Sequence, residues 1–220
     1  MANKSAPAEH SQHNMSNSLT NNKNVTNRPR PLKKADGRLQ RSAQSRDKIV
    51  DALYHLLKLG ELNASAAQIA KAAGVSIRTV FRQFDEVDFI YQEISERLTH
   101  EIMPIIEQPY QSDDWRERLA EHVDRCAEVY EYCIPFRTAG DSRRLRSQTL
   151  QNGHQLWLHR ERQQLTDCIN GAISVSGLLF AAIESSTSFE NWLVLRHNIG
   201  LSPKKARAVV LLHLQKLTSD

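Results

Sequence analysis

Apolar residues recur along this chain at intervals of three and four, which is the period of an amphipathic α-helix. The first such stretch runs from Arg46 to Gly60, and its apolar face is formed by Ile49, Ala52, Leu53, Leu56 and Leu57. The sequence lacks β-branched runs with the alternating pattern of a strand, and it contains only eight Gly and seven Pro. The pattern therefore predicts an all-α fold.

Residues 65 to 84 predict two short helices joined by a tight turn. Ser65 is a good N-cap, and Gln68, three residues later, completes a capping box. Gly74 stands where the end of a helix favours the left-handed conformation, which glycine adopts without strain. Ser76 then caps the next helix. One helix ends and another begins within three residues, as in a helix-turn-helix.

The second of these helices has two different faces. Val80 and Phe84 point toward the core, whereas Arg78 and Arg82 lie opposite Val80. A helix with one buried face and two arginines on the other suits the major groove of DNA. The alternative is an ordinary helical hairpin with a solvated arginine face. The candidate DNA-binding residues are Ser65, Ser76, Ile77, Arg78, Thr79, Phe81, Arg82 and Gln83.

The rest of the chain predicts five further helices. They are one capped by Asp85 that ends near Ile106, one capped by Ser112 that Pro135 ends or kinks, one from about Ser147 to Ile169, one from about Val175 to His197, and one capped by Ser202. Residues 137 to 146 contain four arginines, for which a solvated short helix and an anion-binding site both stay open.

The last predicted helix is apolar around its whole circumference. It contains five consecutive apolar residues, 208 to 212, so that one side can pack on its own chain while another needs a partner. This predicts a homodimer. The candidate interface residues are Trp192, Val209, Leu212 and Leu217.

The order of these elements resembles the TetR family of transcriptional regulators. The residues that carry the resemblance are Ile49, Ala52, Leu56, Gly60, Ile69–Ala70, Ala73–Ser76, Thr79–Phe81 and Phe84, with Ser188–Arg196, Gly200–Pro203 and Ala206–Val209 near the C-terminus. The resemblance implies a three-helix helix-turn-helix domain followed by a helical domain that dimerises and binds an effector. It implies a DNA-binding domain with the start of a connecting helix at 42–104 and an effector-binding and dimerisation domain at 105–220. Its partners would be double-stranded DNA, a second copy of the chain and an unknown small molecule, and repression is favoured over activation. Residues 1–41 are rich in Asn, Ser and Lys and lack apolar periodicity, which predicts a disordered basic arm.

Three positions depart from the family pattern. The family usually has Tyr at Phe81, His at Gln83 and Lys near Val87, and each of these can contact phosphate. Their loss keeps open the alternative of a helical interaction protein that no longer binds DNA. An effector pocket would be lined by apolar and aromatic residues of the middle helices, although such residues also build ordinary cores. The candidates are Met103, Trp115, Tyr130, Phe136, Trp157 and Phe180.

The net charge of +4 is unevenly distributed. Residues 1–48 contain ten Lys or Arg and three Asp or Glu, whereas the other residues contain nineteen and twenty-two. A basic leading segment on a mildly acidic body indicates that one end meets a polyanion. Residues 28–41, with six basic side chains, are either an arm that binds DNA or a solvated leader. No amphipathic pattern there indicates binding to a membrane.

Other chemistry is weakly represented. Cys126, Cys133 and Cys168 are an odd number with no disulfide pattern, which predicts a reducing cytoplasm, and buried thiols are favoured over a redox or metal pair. The N-terminus lacks the apolar segment of a signal peptide. No HExxH, nucleophile elbow, phosphate loop or dinucleotide motif is present. We therefore expect no enzyme activity, metal or cofactor.

Overall fold

The computed structural model describes residues 33–84, 86–174 and 177–219. Within these ranges the chain is helical and contains no β-strand, which confirms the predicted all-α fold. The helices are α1 (Lys33–Lys58), α2 (Ala66–Ala73), α3 (Ile77–Gln83), α4 (Val87–Ile106), α5 (Trp115–Arg144), α6 (Gln148–Ile169), α7 (Leu178–Thr187), α8 (Phe189–Leu193) and α9 (Pro203–Thr218), with a π-helical segment at Val194–Asn198.

Helix α1 begins thirteen residues before the predicted start at Arg46. Residues 33–41, which we assigned to a disordered arm, are therefore helical. Residues 38–44 are exposed on this extension, so no apolar face marked it in the sequence. Helix-favouring Lys, Ala, Arg, Leu and Gln predominate there and explain why the helix continues without a core to cover. The remainder of the predicted arm, residues 1–32, lies outside the described residues.

The N-cap residues predicted for α4 and α5 are not the ones that the structure shows at these two helix starts. Asp85, the predicted cap of α4, lies outside the described residues, and Glu86 at the N-cap position makes no side-chain cap hydrogen bond. For α5, the prediction of Ser112 as N-cap was wrong. Asp114 caps the helix by accepting hydrogen bonds from the amides of Arg116 and Glu117, because an aspartate directly before the first turn reaches both.

Pro135 neither ends nor interrupts α5, which continues to Arg144. Cys133 and Phe136 on either side of the proline are buried, and this packing outweighs the lost backbone hydrogen bond. The predicted separate helix at 137–146 is therefore the last part of α5. Its first arginine, Arg137, is buried and ion-paired with Glu161, so the solvated interpretation was wrong for that residue.

The C-terminal helices follow the prediction except at one point. Ser147 caps α6, and Ser202 caps α9 with Pro203 in its first turn. The single helix predicted from 175 to 197 is instead divided at Ser188, whose backbone is extended. The Ser188 hydroxyl accepts a hydrogen bond from the amide of Asn191 and so starts α8. A serine that can cap favours such a restart.

The buried residues form two clusters. One joins α1–α4 and includes Phe136 and Ala139 of α5, and the other joins α4–α9. Helices α4 and α5 contribute to both, so they connect the helix-turn-helix to the C-terminal half. None of the helices in the described ranges is long and apolar enough to cross a membrane.

Candidate nucleic-acid interface and internal cavities

The turn between α2 and α3 forms as the sequence predicts. The Ser65 amide donates to Oε1 of Gln68 at 2.9 Å, and Ser65 Oγ accepts from the Gln68 amide at 3.3 Å. Gly74 has φ +65°, and its amide bonds back to carbonyls of α2. Ser76 Oγ accepts from the amide of Thr79 at 3.1 Å. These contacts fix the direction in which α3 leaves the turn.

One face of α3 anchors the helix and the other faces solvent. Val80 and Phe84 are buried, with exposed fractions of 1% and 2%. On the outer face, Arg78 and Arg82 are exposed together with Phe81, whose exposed fraction is 50%. The surface of α3 therefore combines two guanidinium groups with an apolar ring.

The eight predicted DNA-binding residues do not all have free side chains. Ser65, Ser76, Ile77, Arg78, Phe81 and Arg82 are exposed, whereas Thr79 and Gln83 are half-buried. The hydroxyls of Ser76 and Thr79 are hydrogen-bonded to each other at 2.9 Å. The Gln83 amide group exchanges hydrogen bonds with Ser42 of α1, at 3.0 and 3.2 Å. Gln83 therefore attaches α3 to α1.

Arg46 supports the end of α3, a role that the sequence did not indicate. Its Nη1 donates to the carbonyl of Gln83 at 2.8 Å, and its guanidinium lies 4.2 Å from the ring centroid of Phe84. It also forms an ion pair with Glu93 of α4. Arg46 thus joins α1, α3 and α4. Periodicity places it at the start of an amphipathic helix but cannot identify partners that are 37 residues or more away.

Several cavities lie between the middle helices. A small cavity of about 20 Å³ is lined by Met103, Tyr130 and Trp157, and a larger one of about 560 Å³ is lined by Phe136 and Trp157. Four of the six predicted pocket residues therefore line one of these cavities. Phe180 is 1% exposed within the C-terminal core, and Trp115 is half-buried beneath the Arg116 guanidinium. Neither of these two lines either cavity.

The four predicted interface residues occupy different environments. Leu212 is 53% exposed, and Val209 and Leu217 are half-buried on the same helix. Trp192 is 2% exposed inside the chain itself, and its Nε1 donates to Glu131 at 2.8 Å. The prediction that Trp192 faces a partner was wrong, because its ring is used in the C-terminal core.

Cys133 and Cys168 are buried, Cys126 is half-buried, and all three thiols are free. Burial raises the pKa of Cys126 and of Cys133 to about 12 and that of Cys168 to about 11. These raised pKa values keep the thiols protonated at neutral pH. Among the described residues, no three His, Cys, Asp or Glu side chains come together to hold a metal ion.

Comparison with known proteins shows a likeness in fold to a solved structure. No protein-family model matches the chain, and no curated protein matches it. A solved structure of a transcriptional regulator from Rhodococcus sp. Rha1 is similar, with a TM-score of 0.61 and 15% sequence identity. The match covers 78% of this chain and 95% of that one. At this identity the likeness shows a shared fold, a helical chain that carries a helix-turn-helix before a larger helical part.

Proposed function

We propose that this protein is a homodimeric, DNA-binding transcriptional regulator of the TetR type. The observation that carries the proposal is α3 itself, which is anchored by Val80 and Phe84 and presents Arg78 and Arg82 to solvent. The fold shared with a transcriptional regulator supports it. In this proposal α3 enters the major groove of a roughly palindromic operator, one half-site for each subunit.

Several groups on and beside α3 have a role in this proposal. Arg78 and Arg82 bind base edges, with guanine O6 and N7 as the usual acceptors. Ser76, Thr79 and the first amides of the helix bind phosphate. Phe81 cannot donate a hydrogen bond, so it packs on a sugar or a thymine methyl group. Ser65, at the start of α2, binds the flanking backbone.

The rest of the chain controls this surface. Residues 42–104 form the DNA-binding domain, and residues 105–220 dimerise and bind an effector. The effector changes the separation of the two recognition helices, so that effector and operator each alter the affinity for the other. Repression is the expected outcome of operator binding.

Selection of bound duplexes from random DNA by the full-length chain tests the proposal. We expect enrichment of sequences with two-fold symmetry. Arg78→Ala should then lose about 1–3 kcal/mol of binding free energy on the selected site and relax the preference at one base pair of each half-site. Arg146→Ala, which removes an exposed arginine outside the helix-turn-helix, is the matched control and should bind as the parent does.

Two outcomes contradict parts of this proposal. An equal loss for Arg78→Ala on every sequence would make Arg78 a phosphate contact. Failure to enrich any sequence would favour the second candidate, a helical interaction protein without DNA binding. That candidate is favoured by the start of α4, where Val87 is half-buried and Asp88 lies 3.7 Å from Arg143, so this end of α4 adds no cation for phosphate.

A further inference from the structure

The larger cavity lies between α4, α5 and α6 and has a volume of about 560 Å³. This volume is in the range of small-molecule sites. One part of its wall is apolar and aromatic, formed by Tyr91, Ile94, Leu98, Phe136, Leu156 and Trp157. A ligand that fills this part needs an apolar body of at least ring size.

The other part of the wall carries three guanidinium groups, those of Arg137, Arg144 and Arg160, against the carboxylates of Asp141 and Glu96. Arg160 donates to the hydroxyl of Thr99 at 2.8 Å, and no carboxylate of the described residues is paired with it. A cationic ligand would therefore meet repulsion on this side.

Two guanidinium nitrogens of these arginines are buried and make no hydrogen bond, although each has a carboxylate within 4 Å. Nη2 of Arg137 has no hydrogen bond, and a carboxylate oxygen of Glu190 is 3.6 Å away. Nε of Arg144 also has no hydrogen bond, although Asp141 lies at 3.3 Å. The Arg137 side chain is only 7% exposed, so water does not readily replace the missing acceptor. Arg137 is already paired with Glu161, so Arg144 and Arg160 are the arginines of this wall that a ligand can reach.

We propose that this cavity binds an organic anion that has one carboxylate and an aromatic or branched apolar body. A planar carboxylate supplies the anionic partner that Arg160 lacks and a further acceptor beside the partly exposed Arg144, in the geometry that guanidinium prefers. A neutral hydrocarbon would leave Arg160 without an anionic partner. A multiply charged ligand such as a nucleotide would meet Asp141 and Glu96 and would leave the apolar wall uncovered. This assignment rests on the proposed function, because it names the chemical class of the effector.

The position of the cavity gives such a ligand access to the helix-turn-helix. Tyr91 and Phe136 line the cavity and also belong to the N-terminal core cluster. The Tyr91 hydroxyl donates to the carbonyl of Leu62, four residues before α2, at 3.5 Å. A ligand that displaces Tyr91 therefore acts on the cluster against which α2 and α3 pack.

Calorimetric titration of the full chain without DNA tests the ligand class. The probes are sodium 2-naphthoate and its neutral analogue 2-naphthamide, which differ in charge but hardly in shape. We expect the naphthoate to bind about tenfold more tightly or better, since hydrogen bonds to a charged acceptor are stronger than neutral ones. In Arg144→Gln and Arg160→Gln this advantage should largely disappear, while naphthamide binding stays the same.

Arg146→Gln is the control, because Arg146 is exposed and does not line the cavity. It should keep the preference for naphthoate. The proposal is overturned if naphthamide binds as tightly as naphthoate, if neither binds, or if both cavity variants keep the preference. Circular dichroism of each variant identifies one that fails to fold, and the other variant then decides. Because DNA is absent, a chain that binds naphthoate but selects no DNA would refute only the regulator, and the reverse result would refute only the ligand class.

Discussion

His122 of α5 is a histidine enclosed by the protein. It is 4% exposed, with Nδ1 3.3 Å from the Tyr110 hydroxyl and Nε2 3.4 Å from Sγ of Cys126. Burial lowers its pKa to about 4, and the nearby charge of Arg125 acts in the same direction. The folded protein therefore holds a neutral imidazole at pH values where an unfolded chain binds a proton.

This difference predicts acid sensitivity. Below its ordinary pKa of 6.5 the histidine of the unfolded chain is protonated, whereas that of the folded chain stays neutral until about pH 4. Folding stability should fall by about 1.4 kcal/mol for each pH unit in this window. Urea unfolding at pH 7 and pH 5 should show the parent losing about 2 kcal/mol more than His122→Gln. Equal losses in the two proteins would mean that His122 is not the group responsible.

At the residue scale, local chemistry was predictable and distant partners were not. Ser65, Gly74 and Ser76 adopt their predicted roles because a cap depends on residues within a few positions. Arg137 could not be assigned in this way, because its burial depends on Glu161 of another helix and on the stacking of its guanidinium 3.7 Å from the ring centroid of Phe189.

The turn between α2 and α3 sets the orientation of the proposed recognition helix. Gly74 has φ +65°, and a Cβ built there meets nothing within 4 Å, so the backbone conformation alone disfavours other residues. Gly153 offers a useful contrast, because it lies inside α6 with equally open surroundings and no positive φ. The two sites therefore differ in backbone conformation but not in steric contact.

Gly74→Ala and Gly153→Ala should change stability in opposite directions. Alanine at Gly74 must adopt a left-handed conformation and should destabilise the fold by about 1 kcal/mol. Alanine at Gly153 favours the helix and should stabilise it by about 0.5–1 kcal/mol. Thermal or urea unfolding measures both. A gain in stability for Gly74→Ala would show that α2 and α3 are not joined by this turn.

At the element scale, helix boundaries were predictable where an apolar stripe or a cap marks them. The predicted bounds of α6 and the start of α9 were confirmed because Ser147 and Ser202 cap them. The boundaries failed where tertiary packing decides, as at Pro135, and where a helix runs through solvent, as at residues 38–44. Intrinsic preferences are too weak to decide such cases without knowledge of the core.

At the scale of the whole molecule, the C-terminal half presents apolar side chains that the described residues leave exposed. Leu178, Val194, Ile199 and Leu212 are 91%, 43%, 59% and 53% exposed. Helix α9 turns Ala206, Val210 and Leu214 inward, and Leu212 lies on its outer side. Single exposed apolar residues are common, but several on neighbouring elements are typical of an interface. They support the proposed dimer without defining its geometry.

Leu212→Glu tests whether α9 forms that interface. Because Leu212 is half-exposed in the single chain, the substitution should leave the fold intact while placing a charge in the proposed interface. We expect a monomer by sedimentation, with an unchanged helical circular dichroism spectrum and weaker binding to a two-fold operator, because only one half-site remains engaged. Leu145→Glu, at a residue that is 92% exposed beyond the end of α5, is the matched control and should sediment as the parent does. If Leu212→Glu remains dimeric, the subunits associate through another surface.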